Sequence, residues 1–196
     1  MQMCPREESR IFVLHQLIAD AYPQIPSFLL AKCRFICFFA KIIWLFEGSS
    51  TCLYGTNLNP LVDDGMGNIE ELRGKSMIIF ACKSAEFIKR YHFPKSLGFG
   101  FVPTSLDDAR DGVLHNMNLR ELDSVGLEMF KKAIVRIWHR TLKEVTFEQM
   151  ERIPDLFSFY TNHEIVNTLL HHKDYQYYRI VADMLYYLKD DMRFIF

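Results

Sequence analysis

The sequence predicts an α+β fold, predominantly helical, in which a small sheet of two or more strands near residues 76–102 is packed by helices and the C-terminal half is all helix. Three observations carry that expectation. Two apolar runs, Ser76 to Cys82 (SMIIFAC) and Leu97 to Val102 (LGFGFV), enclose a short helical segment in the pattern strand, helix, strand. From Ser105 onward, apolar residues recur at three- and four-residue spacing. The chain has 196 residues, 49% hydrophobic and 24% charged, with 17 Phe and 9 Tyr, so it can bury a core without disulfides or metal. One globular domain over 1–196 is expected, with a mixed lobe over 1–104 and a helical lobe over 105–196.

Element by element, the first helix is expected over Glu8 to Ala21, where Ile11, Leu14, Leu17 and Ile18 share a face and Tyr22, Pro23 and Pro26 end it. Phe28 to Phe46 (FLLAKCRFICFFAKIIWLF) is almost continuously apolar. Periodicity cannot separate buried helix from buried strand in such a run. Ser27 as N-cap and Gly48 as stop favour a helix, with a hairpin or strand near Arg34 to Ala40 as the alternative. Lys32, Arg34 and Lys41 argue against a membrane span at 28–46, each costing about 2.5–3.5 kcal/mol near a bilayer centre. Membrane association through snorkelling of Lys32 and Arg34 is the rival reading.

Gly48 to Gly74 is rich in Gly, Asn, Asp and Pro and reads as the longest loop, with a helical turn at Asn68 to Arg73. Ser76 to Cys82 and Leu97 to Val102 then form the two strands, joined by a helix over Ser84 to His92 capped by Ser84. A crossover of this kind makes the strands parallel. Gly98 and Gly100 mark a close backbone approach. The later helices are expected at Leu106 to His115, Asp123 to Val145, Phe147 to Thr161 with an interruption at Pro154, His163 to His172, and Tyr175 to Met192. Ser105, Thr146, Asn162 and Asp174 stand where caps belong, and Ser124 and Glu128 lie in the first turn of the long helix.

Composition limits the function classes. A net charge of −1 gives no whole-molecule attraction to nucleic acid or anionic lipid, so any such binding must be local. The five cysteines (Cys4, Cys33, Cys37, Cys52, Cys82) are odd in number and lack framework spacing, which points to a reducing compartment, cytoplasmic or nuclear. Met1 to Ser9, with Glu7 and Glu8, resembles neither a secretory leader nor a transit peptide.

The chemical motifs fail on spacing. Gly74, Lys75 and Ser76 copy the end of a phosphate-binding loop, but Ile69 stands where its first glycine belongs, and Ser76 leads into a strand rather than a helix. Gly65 and Gly67 lack the third glycine of a dinucleotide fingerprint. His163 and Glu164 begin like a zinc-protease helix, yet Asn167 replaces the second imidazole, and His171 and His172 stand too far on. Cys33 and Cys37 are two zinc ligands at most. Asp63, Asp64, Glu70 and Glu71 have no lysine on the following strand, and Asp107, Asp108 and Asp111 read as charges favoured by a helix N-terminus. No cofactor, metal or catalytic set is therefore assigned. Cys82, between a strand and a helix, is the one candidate reactive thiol, with His92 or His115 as a base if the fold brings either close.

Two surfaces stand out instead. The helix from Asp123 carries Lys132, Arg136, His139, Arg140 and Lys143 opposite an apolar stripe, and Lys83, Lys89, Arg90, His92 and Lys95 form a second basic cluster. In the last helix, Tyr175, Tyr178 and Tyr187 cannot all share the core-facing stripe, and tyrosine favours interfaces. The expected function is a non-enzymatic protein-interaction or regulatory role, compositionally in keeping with a viral accessory protein that antagonises a host factor. The alternatives are an RNA-binding protein using the Lys131–Lys143 face and an α/β enzyme with Cys82 as nucleophile. A protein partner is expected, with self-association left open.

Overall fold

The computed structural model describes residues 41–44, 47–54, 60–63, 69–111, 119–145 and 147–196. The expected helix Glu8–Ala21, the run from Phe28 to Ala40 with Cys33 and Cys37, His115 and the cap Thr146 lie outside the described residues. The fold is α+β and predominantly helical, and the chain divides into two compact units: Met1–Gly98 with Ile195–Phe196, and Phe99–Phe194.

In the first unit, β1 (Lys41–Trp44), β5 (Met77–Phe80) and β6 (Ser96–Gly98) lie side by side. Lys41 to Trp44 run parallel to Met77 to Phe80 in register, and Ile78 pairs with Leu97, also parallel. The sheet order is completed beyond β6 by β7 (Arg193–Ile195), whose Ile195 packs on this unit's core. A separate antiparallel sheet contains β2 (Glu47–Gly48), β3 (Cys52–Tyr54) and β4 (Pro60–Asp63), with a register shift at Leu53/Tyr54. A short helix, α1 (Ile69–Leu72), precedes β5.

These strands correct two expectations. The end of the apolar run is extended rather than helical, and Gly48 lies in a strand rather than stopping a helix. A parallel strand can be as continuously apolar as a buried helix, and β1 pairs in register with β5, every residue of which is buried. Nor is Gly48–Gly74 one long loop. It holds β3, β4 and α1, with Pro60 at the first position of its strand, where a missing N–H is tolerated.

The parallel crossover is as expected: β5, then α2 (Ser84–Tyr91), then β6. Its anchoring differs. Lys83, in the left-handed region at φ 55°, precedes the helix, and Ser84 donates its buried hydroxyl to the carbonyls of Ile79 and Ala81, both at 2.8 Å. Ser84 therefore closes the end of the strand instead of capping the helix. Ser96 does the same for the other strand pair, accepting from the Met77 N–H at 2.9 Å and donating to the Pro94 carbonyl at 3.0 Å. The second strand ends at Gly98, where a Cβ would stand 2.6 Å from the Ala85 backbone nitrogen. Only glycine lets β6 and α2 approach so closely.

The second unit contains α3 (Leu106–Asp111), a 3₁₀ turn at Leu119–Glu121, α4 (Ser124–Glu144), a 3₁₀ segment at Phe147–Arg152, α5 (Ile153–His171) and α6 (Tyr178–Asp190). Helices α4, α5 and α6 pack pairwise. Phe99, expected in the strand, belongs instead to this core, with its ring 5.4 Å from Phe157 and 6.0 Å from Trp138. Trp138 and Phe157 lie 4.8 Å apart with their rings tilted at 56° and complete the aromatic centre. Aromatic side chains of this size bury large apolar areas, and these three lie at the centre of the unit.

Further corrections concern caps. Asp123 is the N-cap of α4 and accepts from the Gly126 N–H at 2.8 Å, with Ser124 in the first turn as expected. The two helices expected over 147–172 are largely one. Pro154 lies in the first turn of α5, where no N–H is needed, so it starts the helix rather than interrupting it. Asn162 is interior to α5 and accepts from Lys189 Nζ at 2.8 Å. Asp174 is not the N-cap of α6, which begins at Tyr178, and Arg193–Ile195, beyond the expected end of the helix at Met192, is β7. Ser105 does cap α3: its hydroxyl accepts from the Asp108 N–H at 3.0 Å, while Asp108 accepts from the Ser105 N–H at 3.0 Å, a reciprocal capping box.

Candidate functional site: the exposed face of α5

The seam between α4 and α5 uses much of the expected basic face. Glu164 on α5 is buried, with its side chain 2% exposed, and its Oε2 accepts from Arg136 Nε at 3.0 Å and Nη2 at 2.8 Å. Arg140 Nη1 lies 3.7 Å from Oε1 of the same carboxylate and 3.2 Å from His163 Nδ1. Both arginine side chains remain over 40% exposed, so they keep contact with water while neutralising a carboxylate the core could not otherwise hold. Lys131 pairs with Glu128 at 3.4 Å. Lys132 and Lys143 are exposed, and His139 is half-buried.

The tyrosines divide in the same way. Tyr175 is a structural latch, its hydroxyl donating to Asp123 Oδ1 at 2.5 Å beside the α4 N-terminus. That bond first, and the Gly126 N–H second, hold the Asp123 carboxyl below its ordinary value, whereas burial and then the same carboxylate push the Tyr175 phenol up. Tyr178 accepts from Arg179 Nε at 3.2 Å. Tyr187 is half-buried, and its neighbour Tyr186 is the exposed member of an edge-on pair at 5.5 Å. On the α4 side, Tyr160 donates to Glu144, which raises its phenol pKa.

Cys82 is half-buried just after β5, and His92 is exposed at the far end of α2, where it forms the C-cap in the left-handed region. Gly74, Lys75 and Ser76 lead into strand β5, as the spacing argument expects. Among the described residues, no group of three or more His, Cys, Asp or Glu side chains gathers in a way that could hold a metal ion. Among the same residues, no helix is long and apolar enough to cross a membrane.

One surface was not foreseen. On α5, Phe159, Val166 and Leu170 are each more than half exposed, with Leu169 beside them. At about 100° per residue, the first three fall within an arc of about 40°. The buried residues Ile153, Phe157, Thr161, Glu164 and Thr168 occupy the opposite side. The helix therefore turns an apolar row to solvent, opposite a buried face that mixes Ile153 and Phe157 with Thr161, Glu164 and Thr168. Polar contacts frame the exposed row: Arg140 with His163 toward α4, and Lys189 with Asn162 toward α6. No known family model, curated protein or solved structure matches this chain.

Continuous helical phase from Ile153 to His171 is the signal that reveals the row. A boundary at Asn162 breaks that phase and assigns Phe159 and Val166 to different helices.

Proposed function

We propose that the helical unit is a non-enzymatic protein-binding module whose contact surface is the outer face of α5. The single observation that supports this is the row Phe159, Val166 and Leu170, apolar, exposed and diametrically opposite the buried face of the same helix. Folding gains nothing from it: an outer face of Asn, Lys and Glu would serve the fold equally and keep water contact. Apolar side chains in a row rimmed by polar ones are the anatomy of an interface core. A helix row of this kind takes an apolar helical surface of matching length.

The basic-face reading for RNA has less support, because Arg136 and Arg140 already balance Glu164. A regulatory role, including antagonism of a host factor by a viral accessory protein, rests on composition alone.

The test uses the full chain with a photo-reactive side chain in place of Val166, in cells that make the protein. The expected result is one discrete adduct, lost when Phe159→Glu and Leu170→Glu are added, while the double variant keeps its helical signal and melting temperature. Absence of an adduct refutes the reading. So does a fall of many degrees in the double variant, because the row would then be core rather than surface.

A further inference from the structure

We infer that α2 and the turns at its two ends form a docking surface for the phosphate backbone of a nucleic acid, separate from the outer face of α5.

Lys83, Lys89, Arg90 and Lys95 are exposed, as is His92, and Glu86 is the one acid between Lys83 and Lys95. Among the described residues, no carboxylate, Glu86 included, forms an ion pair with any of these four cations, and Arg90 rests over the ring of Tyr91 at 5.9 Å. On α4, by contrast, Glu164 claims both Arg136 and Arg140.

The fold itself does not call for these charges. Lys83 and His92, at the two ends of α2, and Lys95 in the next turn have φ of 55°, 54° and 45°, and among the described residues they are the non-glycine residues in the left-handed region. Glycine or asparagine occupies such positions with less strain. The helix dipole favours Lys89 and Arg90 in the last turn but opposes a cation at Lys83, beside the positive end. Backbone and dipole both act against Lys83, so its exposed charge is the property that a structural role leaves unexplained.

Chemistry selects the partner. Phe87 and Ile88 are fully buried, so the apolar side of α2 is taken up by the core and cannot enter a bilayer. No large hydrophobic residue is exposed from Lys83 to Lys95, so the surface lacks the apolar centre of a protein interface. Cations alone suffice for a phosphate backbone, whose binding without sequence preference is electrostatic. Length agrees: α2 has 8 residues, about 12 Å at ~1.5 Å per residue, over which one strand of a duplex presents about three to four phosphates at ~3.4 Å each.

The test is fluorescence anisotropy of a labelled DNA duplex of about 20 base pairs and mixed sequence, titrated with the full chain between about 50 and 200 mM salt. Neutralising three to four phosphates gives a log–log slope of about −3 and an affinity that falls roughly 50- to 100-fold across that range. Lys89→Glu with Arg90→Glu is expected to abolish binding. Lys83→Gly should weaken binding and reduce the slope by about 1, while the melting temperature holds or rises because glycine relieves the left-handed backbone. All three positions are exposed, so circular dichroism is expected to show unchanged folding.

A duplex that does not bind, binding indifferent to salt, or binding that survives the Lys89 and Arg90 reversals overturns the inference. So does an unchanged slope in Lys83→Gly. Phosphatidylserine vesicles and poly-glutamate are the rival probes. Binding of either by a chain that does not bind the duplex assigns the patch to a membrane or an acidic protein and overturns the nucleic acid.

Discussion

Arg136→Met is the most informative perturbation of the helical unit. Glu164 has almost no solvent of its own, and two of its three close cationic contacts come from Arg136, at 3.0 and 2.8 Å, the third being Arg140 at 3.7 Å. Removing one partner of a fully buried ion pair costs about 3–5 kcal/mol. Arg136 is 44% exposed, so water can partly replace it and Arg140 can close in, which brings the expected loss to roughly 2–3 kcal/mol. Removing both partners has the opposite logic. Arg136→Met with Glu164→Leu leaves no uncompensated charge, and such replacements are often neutral or stabilising. The double variant should therefore be at least as stable as Arg136→Met alone, with a coupling of about 1–3 kcal/mol. Urea unfolding of the full chain followed by helical circular dichroism measures all corners of this cycle. A loss below about 0.5 kcal/mol in Arg136→Met, or strictly additive effects, would refute the claim that this arginine holds the buried carboxylate.

Two further outcomes follow from the close contacts. Gly98→Ala should destabilise the first unit by about 1–3 kcal/mol, because the added methyl meets the backbone of Ala85 at 2.6 Å rather than a side chain that can turn aside; hydrogen exchange of β5 and β6 amides reads the loss, and unchanged protection would argue against the tight approach. The caps of α3 and α4 make the helical unit sensitive to acid. Burial raises the Asp108 pKa, but hydrogen bonds from Thr104 and Ser105 outweigh it, and Tyr175 with Gly126 lowers Asp123, so both folded-state values lie below the ordinary carboxylate value. Stability from these groups is fully present above the unfolded pKa and disappears as pH falls through the folded values. Tyr175→Phe should flatten that acid limb in a denaturation series from pH 6 to pH 2, and an identical slope in the variant would remove the latch from the account.

The sequence was most legible where local pattern and tertiary role agree. Met77–Phe80 is a short apolar run followed by a helix and a second run, and a parallel crossover is the economical way to bury both. Leu127, Phe130, Ile134, Ile137 and Trp138 declare the inner face of α4 by spacing alone, and all five are buried. Legibility failed where one residue type serves two roles. Lys41–Trp44 continues an apolar run that has no period, so strand and helix were equivalent until β5 supplied the hydrogen-bond partner. Asn162 has the chemistry of a cap, but Lys189, from a helix 27 positions away in sequence, satisfies it in mid-helix instead.

The same ambiguity governs the two candidate surfaces. Arg136 and Arg140 read as an open cationic face because no acid stands between Lys131 and Lys143; the partner is Glu164, 28 positions beyond Arg136 and buried. Unpaired charge along a helix is therefore a weak sign of a ligand, since a long-range partner leaves no local trace. Apolar exposure differs in kind. A buried carboxylate can claim an arginine from another helix, whereas Phe159 and Leu170 remain more than half exposed, with Phe157 and Thr168 turned to the core on the opposite side of α5. The helix supplies its own control, and the excess of exposed apolar residues on the side away from its core-facing stripe is the quantity on which the proposed contact surface rests.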